Sequence, residues 1–435
     1  MAVGALSPAQ LLRPRAEHVI AALDVGTSKV AALIAEVGAD GTARVVGAGV
    51  RACAGVRRGL VADMERTEDA VRAAVQQAER AAGVEIERVL VAISAGGLAS
   101  SVTSVEIDIS GHRITAADLQ RLLAEGRDRI FEAIRDSGRS MLHAEPALFT
   151  VDGLEGVMNP VGFHANRLEV DIHVITAATP PCRNLDLAVR NAHLDVEAML
   201  ASGVAASAAV LTEEERELGV ALVEIGAGVT TISVHGGGVL AGLASVQMAG
   251  GDITADIASA FATRRAAAER LKTLHGAAQA VPRDNHDMVD IAPLDPEDGS
   301  DPRRVPRAEL IAVIRDRLDL LFGEIADALD HMGFRGPAGR QVVLTGGTAE
   351  LRGIADFAAG ALGRTVRIGR PRGLAGLPES HMSVAHATLA GLVLLGARPG
   401  LDLARIPLGP TPRGLAPAEP RTWLGRLVSV LKRQT

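Results

Sequence analysis

The chain has 435 residues, 48% of them apolar and 22% charged, which suits roughly three domains of ~150 residues and is too apolar for wholesale disorder. Its 45 basic and 52 acidic residues give a net charge of −7, which excludes a broadly basic nucleic-acid binder, though not a local basic patch. Two cysteines, one tryptophan and no tyrosine exclude a disulfide scaffold, a Cys-rich zinc module and an aromatic platform for single-stranded nucleic acid.

Residues 1–17 lack the apolar core of a secretory signal; Arg13 and Arg15 follow the short apolar part instead of preceding it, so the segment reads as a tail. Residues 18–23 and 30–37 read as two strands around a glycine turn, a hairpin. A helix is expected over 67–83, strands over 88–93 and 102–109, a helix over 115–134 and several strands between 142 and 176. At 219 the N-terminal pattern returns: strand 220–225, a glycine turn, strand 230–234. Helices follow at 253–262 and 264–274, and a Pro- and Asp-rich stretch at 281–306 reads as a solvated loop. Leu310, Ile314, Leu318, Leu321, Ile325 and Leu329 make one stripe of a long helix, 309–332. Strand 341–344 runs into Gly346-Gly347 and a helix from Ala349, and 384–397 reads as a buried core helix too short to span a membrane. Residues 399–420 hold six Pro and three Gly and form a linker, leaving 421–435 as a separate helix.

The chemistry sits in the turns. Leu23-Asp24-Val25-Gly26-Thr27-Ser28 and Val223-Glu224-Ile225-Gly226-Ala227-Gly228 share the order apolar, acidic, β-branched, Gly, small, small at an offset of 200 residues. Two such hairpins predict two related lobes facing one site. Phosphate needs backbone N–H donors at close range, which glycine permits. The first turn adds the Thr27 and Ser28 hydroxyls and the Lys29 charge; the second offers Gly226, Gly228 and Thr230. Asp24 and Glu224 are candidates to hold Mg²⁺ through water. The third turn, Gly346-Gly347, is expected to precede a helix N-terminus that favours an anion. Together the three turns point to a nucleotide, without a Walker P-loop.

The order of these turns resembles the actin, Hsp70 and sugar-kinase superfamily. Within it, Ala22-Leu23-Asp24-Val25-Gly26-Thr27-Ser28-Lys29-Val30, Leu142-His143-Ala144-Glu145-Pro146, Asp152-Gly153-Leu154-Glu155-Gly156, Arg167-Leu168-Glu169-Val170, Ala268-Glu269-Arg270-Leu271-Lys272 and Val343-Leu344-Thr345-Gly346-Gly347 resemble the FtsA family of bacterial cell-division proteins. The resemblance implies an α/β, actin/Hsp70-like two-lobed fold with a nucleotide cleft, in which subdomain 1B is replaced by an FtsA-type 1C. It implies subdomain 1A at 18–84 with 167–200 and 373–398, 1C at 85–166, 2A at 201–258 with 337–372, and 2B at 259–336. It further implies ATP and Mg²⁺ in the cleft, with Glu269 and Lys272 on the ribose and adenine side and Gly251 beside it. Self-assembly into filaments, docking of the FtsZ C-terminal peptide on 2B and recruitment of later division proteins follow from the same likeness. Two departures, Glu224 where the family has Asp and Val229 where it has Thr, bear on hydrolysis more than on binding, so at most slow ATP hydrolysis is expected.

On a helical wheel Trp423, Leu424, Leu427, Val428, Val430 and Leu431 fall within about 160°, and Arg421, Arg426, Lys432 and Arg433 lie along the rest. With no acid present, this is the pattern of a helix lying in an anionic membrane surface; a helix docked back on the body or in a partner's groove shows the same face. With the family likeness, the expected location is the inner face of the cytoplasmic membrane at the division site. The competing functions are a small-molecule kinase or phosphatase of the same superfamily, for which no free carboxylate base stands out, and an actin-like scaffold for pilus or plasmid machinery. His143 and His173 lack metal-ligand spacing and read as structural, as do Cys53 and Cys182.

Overall fold

A computed structural model describes residues 18–95, 97–295, 302–335, 339, 341–377 and 381–397. The predicted tail at 1–17, linker at 399–420 and helix at 421–435 lie outside the described residues. At the start of this span, β1 (His18–Val25) and β2 (Lys29–Val37) form the expected hairpin, with Val25 opposite Val30. β3 (Ala43–Ala52) extends it, followed by a small hairpin of β4 (Val56–Arg57) and β5 (Leu60–Val61). Helix α1 (Met64–Ala82) starts where Asp63 accepts the Arg66 amide and stops at Gly83 with φ +72°. Its alanine face lies almost on the sheet: a Cβ on Gly49 would stand 1.9 Å from the Ala74 carbonyl oxygen. β6 (Arg88–Ile93) pairs parallel with β1.

An inserted unit follows. It comprises β7 (Ala99–Asp108), α2 (Ala116–Ile134), β8 (Arg139–Val151), β9 (Leu154–Val157) and β10 (Arg167–Ala178). β10 lies between β7 and β8, antiparallel to both, and α2 packs Leu122 and Ile130 into the same core as Leu168 and Ile172. A capping box between Thr115 and Asp118 opens that helix. The pairing differs from the expected subdomain limits. Residues 88–93, assigned from sequence to 1C, lie in the first sheet, and 167–178, assigned to 1A, lie in the inserted sheet. Alternation alone cannot tell which sheet a strand joins.

Helix α3 (Thr179–Asn191) leads to β11 (Asp195–Ala201), completing a sheet of order β11-β6-β1-β2-β3. After α4 (Ser202–Val210) and α5 (Glu213–Leu218) come β12 (Val220–Ile225), β13 (Thr230–Gly236) and β14 (Val239–Val246). Helices α6 (Gly250–Ala260) and α7 (Arg265–His275) precede β15 (Met288–Ile291), β16 (Arg303–Pro306) and α8 (Arg307–His331). β17 (Gln341–Thr345), α9 (Ile354–Leu362), β18 (Thr365–Ile368) and α10 (Ala387–Ala397) finish the described chain.

The two predicted lobes are repeats of one topology. β18-β17-β12-β13-β14 matches β11-β6-β1-β2-β3 strand for strand: parallel, parallel, then two antiparallel. The second sheet then runs on into the inserted unit through a single pairing, Ala244 with Ala99. All six residues of the predicted stripe on α8 are fully buried. The stretch read as a loop at 281–306 instead contains the β15–β16 hairpin, whose Val289, Ile291 and Val305 join the second lobe's core; its apolar residues are too few and too widely spaced to show a strand period. The helix expected from Ala349 starts at Ile354, after a 3₁₀ turn at Gly347–Glu350.

Candidate functional site

Asp24 and Glu224 end the central strands of the two lobes in equivalent places. Asp24 sits opposite Ala31 and beside Ala92, and Glu224 sits opposite Thr231 and beside Thr345. Both open on one cavity of about 730 Å³ between the lobes, at the carboxyl ends of the parallel strands where open α/β sheets place ligands.

The cavity floor is the pair of hairpin turns. The Gly26 amide donates to Lys29 O at 2.9 Å and the Gly226 amide to Val229 O at 3.1 Å, so these amides close their own turns. Gly26, Thr27, Ser28 and Lys29 line the cavity from one side and Gly226 and Ala227 from the other. Thr27 Oγ1 accepts the Gly59 amide at 2.9 Å. Gly228 and Thr230, expected at the ligand, are placed elsewhere. A Cβ on Gly228 would lie 2.4 Å from Thr27 Oγ1, so its bareness lets the first turn press against the second. Thr230 is fully buried and donates to Met248 O at 2.7 Å.

The two acids have different surroundings. Burial, then the Glu224 charge, raises Asp24 to about 7, with Lys29 opposing. Glu224 accepts from Thr231 Oγ1 at 2.7 Å and from the Thr388 hydroxyl. Burial lowers Lys29, against Asp24 and Glu350, and its ammonium contacts His386 Nε2 at 3.0 Å. Burial, Lys29 and His381 hold His386 down at about 3, so the imidazole is neutral and its Nε2 accepts from Lys29. Two half-buried carboxylates, Asp24 with the Glu224 charge on one side and the Lys29 ammonium on the other, are a donor set of the kind hydrated divalent cations take.

The far end of the cavity is built by α6, α7 and the third glycine turn. Lys272 Nζ donates to Glu269 Oε2 at 2.8 Å, Thr254 Oγ1 at 2.9 Å and Gly250 O at 3.0 Å, and burial lowers it against the Glu269 charge. Glu269, Lys272, Gly251, Gly346 and Gly347 all line the cavity. Gly346 has φ +85°, and a Cβ there would stand 2.5 Å from Ile225 O, so only glycine lets β17 turn this close to β12. A 3₁₀ turn follows it, so the helix N-terminus expected at that point is absent.

Sequence reading missed Thr254, Arg265, Thr348, Glu350 and Arg352, which line the cavity, and Thr231, Thr388 and His386, which hold its charged groups. Thr231 had a signal. In a hairpin whose turn closes between 226 and 229, residue 224 faces 231, not 230. Thr388 and His386 come from a segment with no periodic relation to the turns.

Comparison with known proteins agrees with this architecture. Residues 221–391 match the family "Cell division protein FtsA", and residues 95–176 match "SHS2 domain inserted in FTSA", the span of β7 to β10. The cell division protein FtsA of Rhizobium meliloti (strain 1021) is 37% identical over 393 residues, 88% of each chain. That of Escherichia coli (strain K12) is 31% identical over 437 residues, covering 98% of this chain and all of the relative. The chain belongs to the FtsA family. Among solved structures, the PilM–PilN type IV pilus biogenesis complex aligns with a TM-score of 0.60 at 17% identity, over 87% of this chain and 99% of that one. The ethanolamine utilization protein EutJ of Carboxydothermus hydrogenoformans aligns with a TM-score of 0.50 at 15% identity, over 88% and 91%. These likenesses concern the fold, which is the actin/Hsp70-like one with an FtsA-type insertion in place of subdomain 1B.

Proposed function

We propose that the protein binds ATP with Mg²⁺ between its lobes, assembles into filaments and anchors the FtsZ ring to the inner face of the cytoplasmic membrane at the division site. The observation that carries this reading is the pair of topologically equivalent hairpins meeting at one cavity, each with an acid at its strand end, in a chain of the FtsA family. In this reading Lys29, Thr27 and Ser28 face the phosphates, Asp24 and Glu224 hold the metal's waters, and Glu269 and Lys272 meet the ribose and base. The metal supplies charge neutralisation at the phosphates. Subdomain 2B, at 259–336, takes the FtsZ C-terminal peptide, and later division proteins join the assembly.

Residues 421–435 supply the membrane contact, through Trp423, Leu424, Leu427, Val428 and Leu431 on the apolar face and Lys432 toward anionic headgroups. Fifteen residues are too few for a stable isolated helix in water, so the segment folds as it inserts. One such helix binds weakly, and a filament multiplies it by effective concentration. Co-sedimentation with anionic vesicles and Mg-ATP tests the reading, comparing the full chain with a truncation after Pro420 and with Trp423→Glu. The full chain should pellet cooperatively with concentration and both variants should stay in solution. Equal pelleting of all three, or of none, removes the membrane tether. An Asp24→Asn chain that binds Mg-ATP as tightly as the unaltered one removes the proposed metal site.

A further inference from the structure

A second cavity, of about 180 Å³, lies away from the cleft where the inserted unit, the second lobe and the inter-lobe helices meet. β8 and β10 contribute His143 and His173, α5 contributes Arg216, and β13 contributes His235. Its other wall is apolar, with Val204 of α4, Leu240 of β14 and Leu395 of α10. Nothing in the nucleotide reading uses it.

The polar side of this cavity is rich in donors. His143 Nε2 accepts the Ala201 amide at 3.1 Å, which places its proton on Nδ1. Arg216 Nη2 donates to Ser207 O at 2.6 Å and keeps its charge at the wall. His235 is 6% exposed, and its Nε2 has no hydrogen-bond partner among the described residues. A buried polar atom left this way forfeits its hydration, so a native site that retains one has a ligand or water to meet it. Among the described lining residues the acid is Glu145, half exposed and 3.8 Å from His143 Nδ1. A cavity of about 150 Å³ is known to admit benzene when its walls are apolar, so this one has room for a ring-sized body with a polar head.

We propose that this cavity binds a small organic acid, with its oxyanion head accepting from His235 and Arg216 and its short apolar body against Val204, Leu240 and Leu395. Arg216 supplies the opposite charge and His235 the unmet hydrogen bond. The apolar wall selects an organic body over a bare inorganic ion. Because α4 packs on α10 and on strands of both sheets, while α10 lies on the first, the ligand touches the two helices that join the lobes.

Isothermal titration of benzoate, and separately of inorganic phosphate, into the full chain tests this. The His235→Phe and Leu240→Trp variants are titrated alongside, with far-UV melting as the check that each is folded. We expect one benzoate per chain, weakened at least tenfold in both variants, no comparable phosphate binding, and movement of the His235 imidazole resonances as benzoate is added. No saturable benzoate binding, binding that survives both variants, unmoved His235 resonances, or phosphate binding as tightly as benzoate would each overturn the proposal.

Discussion

Single buried groups carry much of this protein's sensitivity to conditions. Burial, then Arg216 and His173, hold His235 at about 3. Burial holds His173 at about 4, with Glu145 opposing and His143 assisting. The groups facing the pair are therefore Arg216 on α5 and His143 and Glu145 on β8. Both imidazoles are neutral in the folded chain, whereas in the unfolded chain they titrate near 6.5. Below that value the unfolded chain takes up protons first, so folding stability is full above about pH 6.5 and falls as the pH drops toward 4. At pH 5 each histidine removes about 2 kcal/mol. Urea unfolding of His235→Phe should therefore lose about 2 kcal/mol less than the parent between pH 7 and pH 5. Parallel losses in the two chains would show that His235 charges without cost in the folded state.

At the level of elements, what the sequence reveals depends on whether its signal is periodic. The hairpin turns, the α8 stripe and the Gly346-Gly347 turn were legible because short-range pattern and local backbone demands coincide there. β3, β11, α3 and α4 were not resolved from their surroundings. α4, for example, is small-residue throughout and buried nearly all round, so it has no amphipathic face to detect. Of the residues around the cavity, the strand-end acids and Gly26, Gly226, Gly346 and Gly347 were legible from their chemistry, whereas Thr388 and His386 reach its charged groups only through tertiary packing. The β15–β16 hairpin was missed because its few apolar residues are widely spaced, and its flank is held by a charge pair that has no period. Asp284 is 2% exposed, accepts Arg307 Nη1 at 2.5 Å and the Val281 amide at 2.8 Å, and Arg307 also donates to His275 O at 2.7 Å. Asp284→Ala leaves a buried guanidinium without its counter-charge, a loss of roughly 3–5 kcal/mol. Hydrogen exchange should then show faster amides in 281–291 while the first lobe's sheet is unchanged. A loss below about 1 kcal/mol would mean that water replaces the carboxylate.

Across the whole molecule, the lobes are joined by packed helices, by the contact of the first glycine turn with the second and, among the described residues, by a side-chain bridge from Arg58. Helices α4 and α10 pack so closely that a Cβ on Gly391 would fall 1.6 Å from Ala205 O. The inserted unit adds its own link through Ala99 and Ala244, so it follows the second lobe's sheet. Arg58 stands in the two-residue turn of the β4–β5 hairpin with φ +48°, a backbone region that favours Asn or Gly. Its guanidinium reaches the second lobe, donating to Gln247 O at 2.5 Å and to Asp252 Oδ1 at 2.9 Å, beside the start of α6. Arg58 is 55% exposed and Asp252 18%, so the ion pair is worth no more than about 1 kcal/mol. That is too little to set the fold and enough to change a ligand's dissociation rate several-fold. Arg58→Asn removes the crossing contact and relieves the turn. It should raise the melting temperature slightly while speeding dissociation of a fluorescent ATP analogue up to about fivefold, the factor that 1 kcal/mol supports. Asp252→Asn should speed dissociation to a similar degree without the gain in stability, because it keeps the cap on the Ala249 amide and leaves the turn unchanged. If both variants release the analogue at the parental rate, the Arg58 bridge plays no part in holding the nucleotide.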